Sequence, residues 1–106
     1  MLKENKFQAS LIKEIQEQLP GCIILKNNAS DIQGIPDLII LHKKKWAALE
    51  TKRYIGAGKR PNQEYYLNKL NSMSYASFVY PENKQEVLHE LANIFTPRRT
   101  TRISKC

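Results

Sequence analysis

Two apolar segments separated by three lysines constrain the fold of this chain more than any other feature of its sequence. Residues 38–41 are four consecutive apolar residues, too many for a strand with one face in water, so they indicate a central strand over 37–42. Residues 43–45 predict a turn, and 46–52 predict a partner strand. Strands joined this tightly run antiparallel. The sequence therefore predicts a hairpin within the core of the molecule.

The segment before the hairpin predicts one helix and one strand. Apolar residues recur at every fourth position over 3–19, which indicates an amphipathic helix that ends at Pro20. Residues 22–25 are apolar and rich in β-branched side chains, so they predict a short buried strand. A polar loop follows and runs on to Gly34 and Pro36.

The segment after the hairpin predicts helix, strand and helix. A loop with two glycines covers 54–61, and a helix is expected over 61–73 because proline suits a first helical turn. The alternating aromatic segment 75–80 predicts a strand. Asn83 predicts the N-cap of a last helix, with Glu86 completing a capping box. The residues expected to face the core from the helix at 61–73 are Tyr66, Leu67, Leu70 and Met73.

The resulting order is helix, three strands, helix, strand, helix. A chain of 106 residues fits one domain. We predict an α/β (α+β) fold in which a small mixed sheet is flanked by helices. The domain is expected to cover 1–96, and 97–106, with four basic and no acidic residues, is expected to be a flexible tail.

The charge of the chain favours a polyanionic partner. Seventeen Lys and Arg stand against ten Asp and Glu, which gives a formal charge of +7. Between 43 and 60 there are seven basic residues and a single acid, Glu50. The chain has no apolar run long enough to span a bilayer and no secretory signal at its start, so no membrane partner and a cytoplasmic location are expected.

The hairpin is expected to bring two acids and a lysine together. Side chains alternate across a strand, so Glu50 and Lys52 project from one face and Thr51 from the other. Any loop centred between residues 43 and 44 sets Asp37 directly opposite Glu50, with Cβ atoms about 4.5 to 5.5 Å apart. An odd-length loop would shift this register by one residue, and the site would then need a bulge.

Opposed carboxylates destabilise a sheet unless something neutralises them, and a hard divalent cation such as Mg²⁺ can bind between them. Such an ion activates water and polarises a phosphoryl oxygen, while Lys52 can orient the water or offset developing charge. The alternative interpretation is that Asp37 merely begins a strand and that Glu50 and Lys52 form an exposed ion pair of little energetic value.

Three segments together resemble the PD-(D/E)XK nuclease superfamily, and within it the virus-type replication and repair nuclease (VRR-NUC) domain. They are Gly-Ile-Pro-Asp-Leu at 34–38 with its apolar strand, Glu-Thr-Lys-Arg at 50–53, and a basic glycine-bearing loop leading to Pro-Asn-Gln at 61–63. The resemblance covers 4 to about 91. It implies a restriction-endonuclease-like core and cleavage of DNA with Mg²⁺, for which Mn²⁺ can substitute. The stand-alone viral members of this family are similar to Holliday junction resolvases in substrate and in forming homodimers. A viral protein would act in the host cytoplasm.

The resemblance also implies roles for particular residues. It carries metal binding onto Asp37, Glu50 and the Thr51 main-chain carbonyl, and the catalytic lysine role onto Lys52.

Two further roles are implied at the starts of helices. Glu4 fits a glutamate of the first helix that adds to the metal site and to catalysis, with Glu14 and Glu17 as competitors for that place. Gln63 fits a catalytic glutamine that opens the second helix. The alternatives are that Glu4 is simply a favourable acid near a helix N-terminus and that Gln63 is an exposed helix residue.

The loop after the second hairpin strand is the expected DNA contact. Arg53, Lys59 and Arg60 are expected to bind phosphates, which gives affinity without sequence preference; the alternative is a solvated loop. Tyr54 either stacks on an unpaired base or packs on the core.

The sequence thus predicts a metal-dependent endodeoxyribonuclease acting on branched DNA. A less selective nuclease or nickase, and a DNA-binding module without catalysis, remain alternatives.

Overall fold

The computed structural model describes residues 4–27 and 32–96, apart from the side chains of Glu4 and Asn5. The predicted mixed α/β fold and the predicted order of helices and strands are confirmed, and the expected tail at 97–106 lies outside the described residues. The elements are α1 (Glu4–Gln18), β1 (Ile23–Lys26), β2 (Leu38–His42), β3 (Lys45–Thr51), α2 (Gln63–Met73), β4 (Tyr75–Val79), a 3₁₀ turn (Pro81–Asn83) and α3 (Lys84–Phe95).

The four strands form one mixed sheet in the order β1-β2-β3-β4. The first two pairings are antiparallel, and β4 runs parallel to β3 because α2 crosses over between them. His42 pairs with Lys45 and Leu38 pairs with Leu49, so the hairpin register is the predicted one. Lys43 adopts a φ of 58° in the turn, where no glycine is present.

Helices cover both faces of the sheet, but not equally. On one face, α1 and α3 bury the main core against β2, β3 and β4. On the other, α2 places Leu67 against Ala48 and Ala76. Residues 47–51 of β3 are therefore buried on both faces, and the two alanines among them let the helices approach closely. This double burial fixes the end of β3, where the predicted site lies. Within the described part of the chain, no helix is long and apolar enough to cross a membrane.

The prediction that the first strand is buried is wrong. β1 is the edge strand, and its side chains Ile23 and Leu25 are exposed because α2 lies over β3 and β4 and does not reach this side of the sheet. Leu41 of β2 pairs with Ile23 and is exposed as well. We refer to Ile23, Leu25 and Leu41 as the β1 face. Apolar content alone could not distinguish an edge strand with an uncovered face from a buried one.

Two details of the helices also differ from the prediction. Met73 is exposed, because the inward face of α2 continues from Leu70 to Ser74, whose hydroxyl donates to the Trp46 carbonyl. The capping box of Asn83 with Glu86 does not form. Instead, Asn83 Oδ1 accepts from the Tyr80 N–H at 2.9 Å, because a 3₁₀ turn precedes α3 and competes for this side chain.

Candidate active site

The predicted acids lie where the β2–β3 ladder ends. The last main-chain pair is Leu38 with Leu49. One residue further, the carboxylates bridge the two strands: the Asp37 N–H donates to Glu50 Oε1 at 3.1 Å, and the Thr51 N–H donates to Asp37 Oδ1 at 3.1 Å. The structure therefore brings Asp37 and Glu50 together just beyond the paired strands, through these hydrogen bonds and not as an opposed pair of the ladder.

Glu50 and Lys52 are held through a third residue, Gln63. Gln63 Nε2 donates to Glu50 Oε2 at 2.9 Å, and Gln63 Oε1 accepts from Lys52 Nζ at 2.8 Å and from the Arg60 N–H at 2.9 Å. The two donors on one side and the carboxylate on the other fix the orientation of the amide. Glu50, Lys52 and Gln63 are only 7%, 9% and 5% exposed, so neither an exposed ion pair nor an exposed Gln63 describes this cluster.

Asp37 is held by a different set of partners. Its Oδ2 accepts from the Thr51 hydroxyl at 2.5 Å and from Gln8 Nε2 at 2.9 Å, and Gln8 also donates to Thr51 Oγ1 at 3.2 Å. Asp37 is thus bound from the α1 side, whereas Glu50 is bound from α2. Separate donors stabilise the two carboxylates, which lowers the electrostatic cost of placing them on neighbouring strands.

Sequence reasoning missed the role of Gln8 and the hydroxyl of Thr51. The available signal was the position of Gln8, a polar residue four positions after Glu4 and therefore on the same side of α1. It lies beside Phe7, which is buried in the core. Thr51 was expected to contribute through its carbonyl; it ends β3 next to Glu50 and reaches Asp37 through its side chain.

The acids proposed for the first helix are not equivalent. Glu14 forms a salt bridge with Lys84 of α3 at 2.7 Å, so it is engaged away from the site. Glu17 is exposed, about 14 Å along the helix from Gln8. Glu4 begins α1 one turn before Gln8, and its side chain lies outside the described residues.

Two carboxylates, those of Asp37 and Glu50, are the candidate metal ligands of this site. Among the described residues, no group of three His, Cys, Asp or Glu side chains is placed to hold a metal ion. Asp37 and Glu50 form a pair of hard oxygen ligands, and each carboxylate oxygen can accept more than one contact. Mg²⁺ is typically bound by one or two carboxylates and keeps several waters. Asp37 and Glu50 are therefore the residues of the described site that could hold such an ion.

An open cleft of about 880 Å³ gives access to these groups. Its lining includes Asp37, Glu50, Lys52 and Gln63, together with Arg53 and Arg60, two of the three predicted phosphate contacts. The third, Lys59, forms an exposed ion pair with Glu64 at 3.3 Å and does not line this cleft. Tyr54 lines the cleft and is exposed, so the expectation that it packs on the core is wrong.

Gly34 connects the loop before Asp37 to the helix that carries Gln63. Its φ is +92°, and a Cβ at this position would lie 2.6 Å from the carbonyl carbon of Asn62. Asn62, with a φ of 71°, directly precedes α2. Only glycine fits here, because the main chain of the loop before Asp37 lies against Asn62, the residue that precedes Gln63.

Comparison of the chain with protein-family models, with curated proteins and with solved structures finds no match. The resemblance to nucleases therefore depends on the motif residues of the sequence.

Proposed function

We propose that this chain is a divalent-metal-dependent DNA endonuclease of the PD-(D/E)XK type, similar to the VRR-NUC domain. The observation that carries the proposal is the buried Glu50–Gln63–Lys52 cluster beside Asp37, at the bottom of a basic cleft. Burying an acid, an amide and a lysine costs free energy that an apolar core would not. An active site that must hold an acid and an ammonium at fixed positions explains this cost.

Asp37 and Glu50 are the residues that would hold the metal. When bound, Mg²⁺ supplies a Lewis acid and lowers the pKa of a water near the phosphate. Gln63 and Gln8 orient the two carboxylates from opposite sides, so both are positioned before substrate arrives.

Lys52 is placed to act on the reacting phosphate or its attacking water. Its ammonium has three protons. Within the described residues, two are directed to Gln63 Oε1 at 2.8 Å and to the Gly58 carbonyl at 3.0 Å. These contacts fix the nitrogen at the wall of the cleft, where its positive charge would offset negative charge that develops on the phosphate.

Arg53 and Arg60 are the DNA contacts that we propose at the cleft, and Lys59 binds phosphate farther along the same loop. Their charge gives sequence-independent affinity and lets DNA geometry decide selectivity. We propose branched DNA of the Holliday junction type as the preferred substrate and a homodimer as the acting form. The cytoplasm, of the host if the protein is viral, is the proposed location.

The test compares wild type with Lys52→Ala and with Lys69→Ala, an exposed lysine of α2 that serves as the matched control. Supercoiled plasmid, linear duplex and a four-way junction are incubated with Mg²⁺, with Mn²⁺ and with EDTA. We expect metal-dependent cutting by wild type and Lys69→Ala, loss of cutting in Lys52→Ala, and preference for the junction.

Other outcomes select the alternatives. Equal cutting of duplex and junction would indicate a less selective nuclease or nickase. Binding that weakens steeply with salt, without a product under any metal, would contradict the nuclease and indicate a DNA-binding module.

A further inference from the structure

A second cavity of about 210 Å³ adjoins the cleft. It shares Lys52, Tyr54 and Ala57 with the cleft. Its other walls include Phe78 and Tyr80 from the end of β4 and Ile55 from the loop after β3. The side chain of Lys52 therefore lies between the cavity and the part of the cleft where we propose that the reacting phosphate binds.

The cavity combines an aromatic wall with positive charge. Lys59 Nζ lies 4.8 Å from the centre of the Phe78 ring, and Lys52 Nζ lies 5.8 Å from it. The ring is half-buried against the cluster of Ala48, Leu67 and Ala76 and also has these two cations near it. Tyr54 and Ile55 are exposed beside it. Aromatic rings next to basic side chains are the combination that binds single-stranded nucleic acid, because every base can stack on a ring.

Hydrogen bonds hold the outer wall of the cavity in place. The Ile55 N–H donates to Glu82 Oε1 at 3.1 Å, which ties the loop to the 3₁₀ turn after β4. The Ala57 N–H donates to the Tyr54 carbonyl at 3.1 Å. The cavity is therefore formed before any ligand binds, so little ordering cost opposes binding.

We propose that this cavity binds one unstacked nucleobase, that of the nucleotide next to the scissile phosphate. The inference rests on the proposed nuclease function, because Lys52 links the cavity to the reacting phosphate. A paired base is stacked within its duplex and must be unstacked and unpaired to enter the cavity, whereas a base that is already unpaired avoids most of this cost. Among the branched substrates that we propose, the cavity therefore favours a strand in which the nucleotide at the cleavage position is unpaired or easily unpaired.

The experiment measures binding in EDTA, so that no cleavage occurs. The probe is a labelled duplex with one unpaired thymidine, compared by fluorescence anisotropy with the fully paired duplex and with the same bulge carrying an abasic residue. Wild type should bind the bulged duplex about 5- to 100-fold more tightly than the other two. Phe78→Leu, which removes the ring and keeps an apolar side chain, and Tyr54→Ala should lower this ratio toward one.

The matched control is Tyr65→Ala, an exposed tyrosine of α2 that does not line the cavity. It should keep the wild-type ratio. Equal binding of bulged, abasic and paired duplexes by wild type, or an equal loss of the ratio in Tyr65→Ala, would overturn the proposal. Because the readout is a ratio, a general loss of affinity in one variant does not imitate the expected result.

The two proposals fail in distinguishable ways. If bulged DNA binds no more tightly than paired DNA, and cutting still depends on Lys52, the base-binding cavity is contradicted and the nuclease is supported. If the binding preference is present but no metal supports cutting, the nuclease is contradicted, and with it the assignment of the base to a nucleotide beside a scissile phosphate.

Discussion

Gln63 shows how a single residue can hold an acid and a lysine at fixed positions. An amide has both an acceptor and donors, so one side chain meets Lys52 Nζ with its oxygen and Glu50 with its nitrogen. A carboxylate at position 63 would face Glu50 with like charge, and an ammonium would face Lys52. The sequence motif pointed to Gln63, but the physical reason for a glutamine becomes visible in these contacts.

Gly34 carries the first prediction at this scale. Gly34→Ala should destabilise the fold for two reasons, a positive φ that costs about 1 to 2 kcal/mol for an L-residue and a Cβ that collides with Asn62. Gly56→Ala is the matched control, because Gly56 has a φ of +91° and no atom within 4 Å of the added Cβ. The free energy of unfolding in urea should fall further in Gly34→Ala. Equal losses in the two variants would contradict a close approach at Gly34.

At the scale of elements, the hairpin was the most predictable part of the molecule. The loop between the strands sets the register, and the observed pairing of residues 38–42 with 45–49 is the predicted one. Asp37 and Glu50 lie one residue beyond this pairing and are joined by hydrogen bonds of their carboxylates. Local patterns also identified the three helices of the described residues and the strand after α2, although not the direction of that strand. The contact of Gln8 with Asp37 was not predictable, because it depends on how α1 packs across the sheet.

The errors share a physical cause. Each error depends on which neighbour covers an element, and local sequence patterns do not show this. The errors are the exposure of β1, the outward direction of Met73 and the alternative partner of Asn83. In each case the local pattern was compatible with the observed strand or helix, and tertiary packing decided the environment. The interior of the site was more predictable than the surface of the domain.

At the scale of the whole molecule, the β1 face is the surface that we propose for the homodimer. Ile23, Leu25 and Leu41 form an exposed apolar patch on an edge strand that, within the described residues, pairs on one side only. A two-fold dimer in which the two β1 faces pack against each other buries the same patch on both copies. A second copy of the chain is therefore the partner that we propose for this face.

Ile23→Glu should convert the dimer to a monomer, because it places a charge within the buried patch. Met73→Glu is the matched control: Met73 and Ile23 are 60% and 59% exposed, and Met73 lies at the end of α2. Light scattering of both variants and of wild type gives the oligomeric state. A monomeric wild type, or a dimer that survives Ile23→Glu, would contradict this interface without affecting the proposed chemistry.

The measurement that tests the central claim most directly is cleavage of supercoiled plasmid by Asp37→Asn in Mg²⁺. Asparagine keeps the size of aspartate, and the Thr51 hydroxyl and Gln8 amide can both reverse their polarity to match it, so folding should be retained. Glu64→Gln, at an exposed acid of α2, is the control. We expect the melting temperature of Asp37→Asn to stay near that of wild type. Its cleavage rate should fall by at least about 10- to 100-fold, the loss typical of a residue that only orients a metal ligand, because Asp37 would bind the metal itself. Cleavage at the wild-type rate by a folded Asp37→Asn would contradict the assignment of this site.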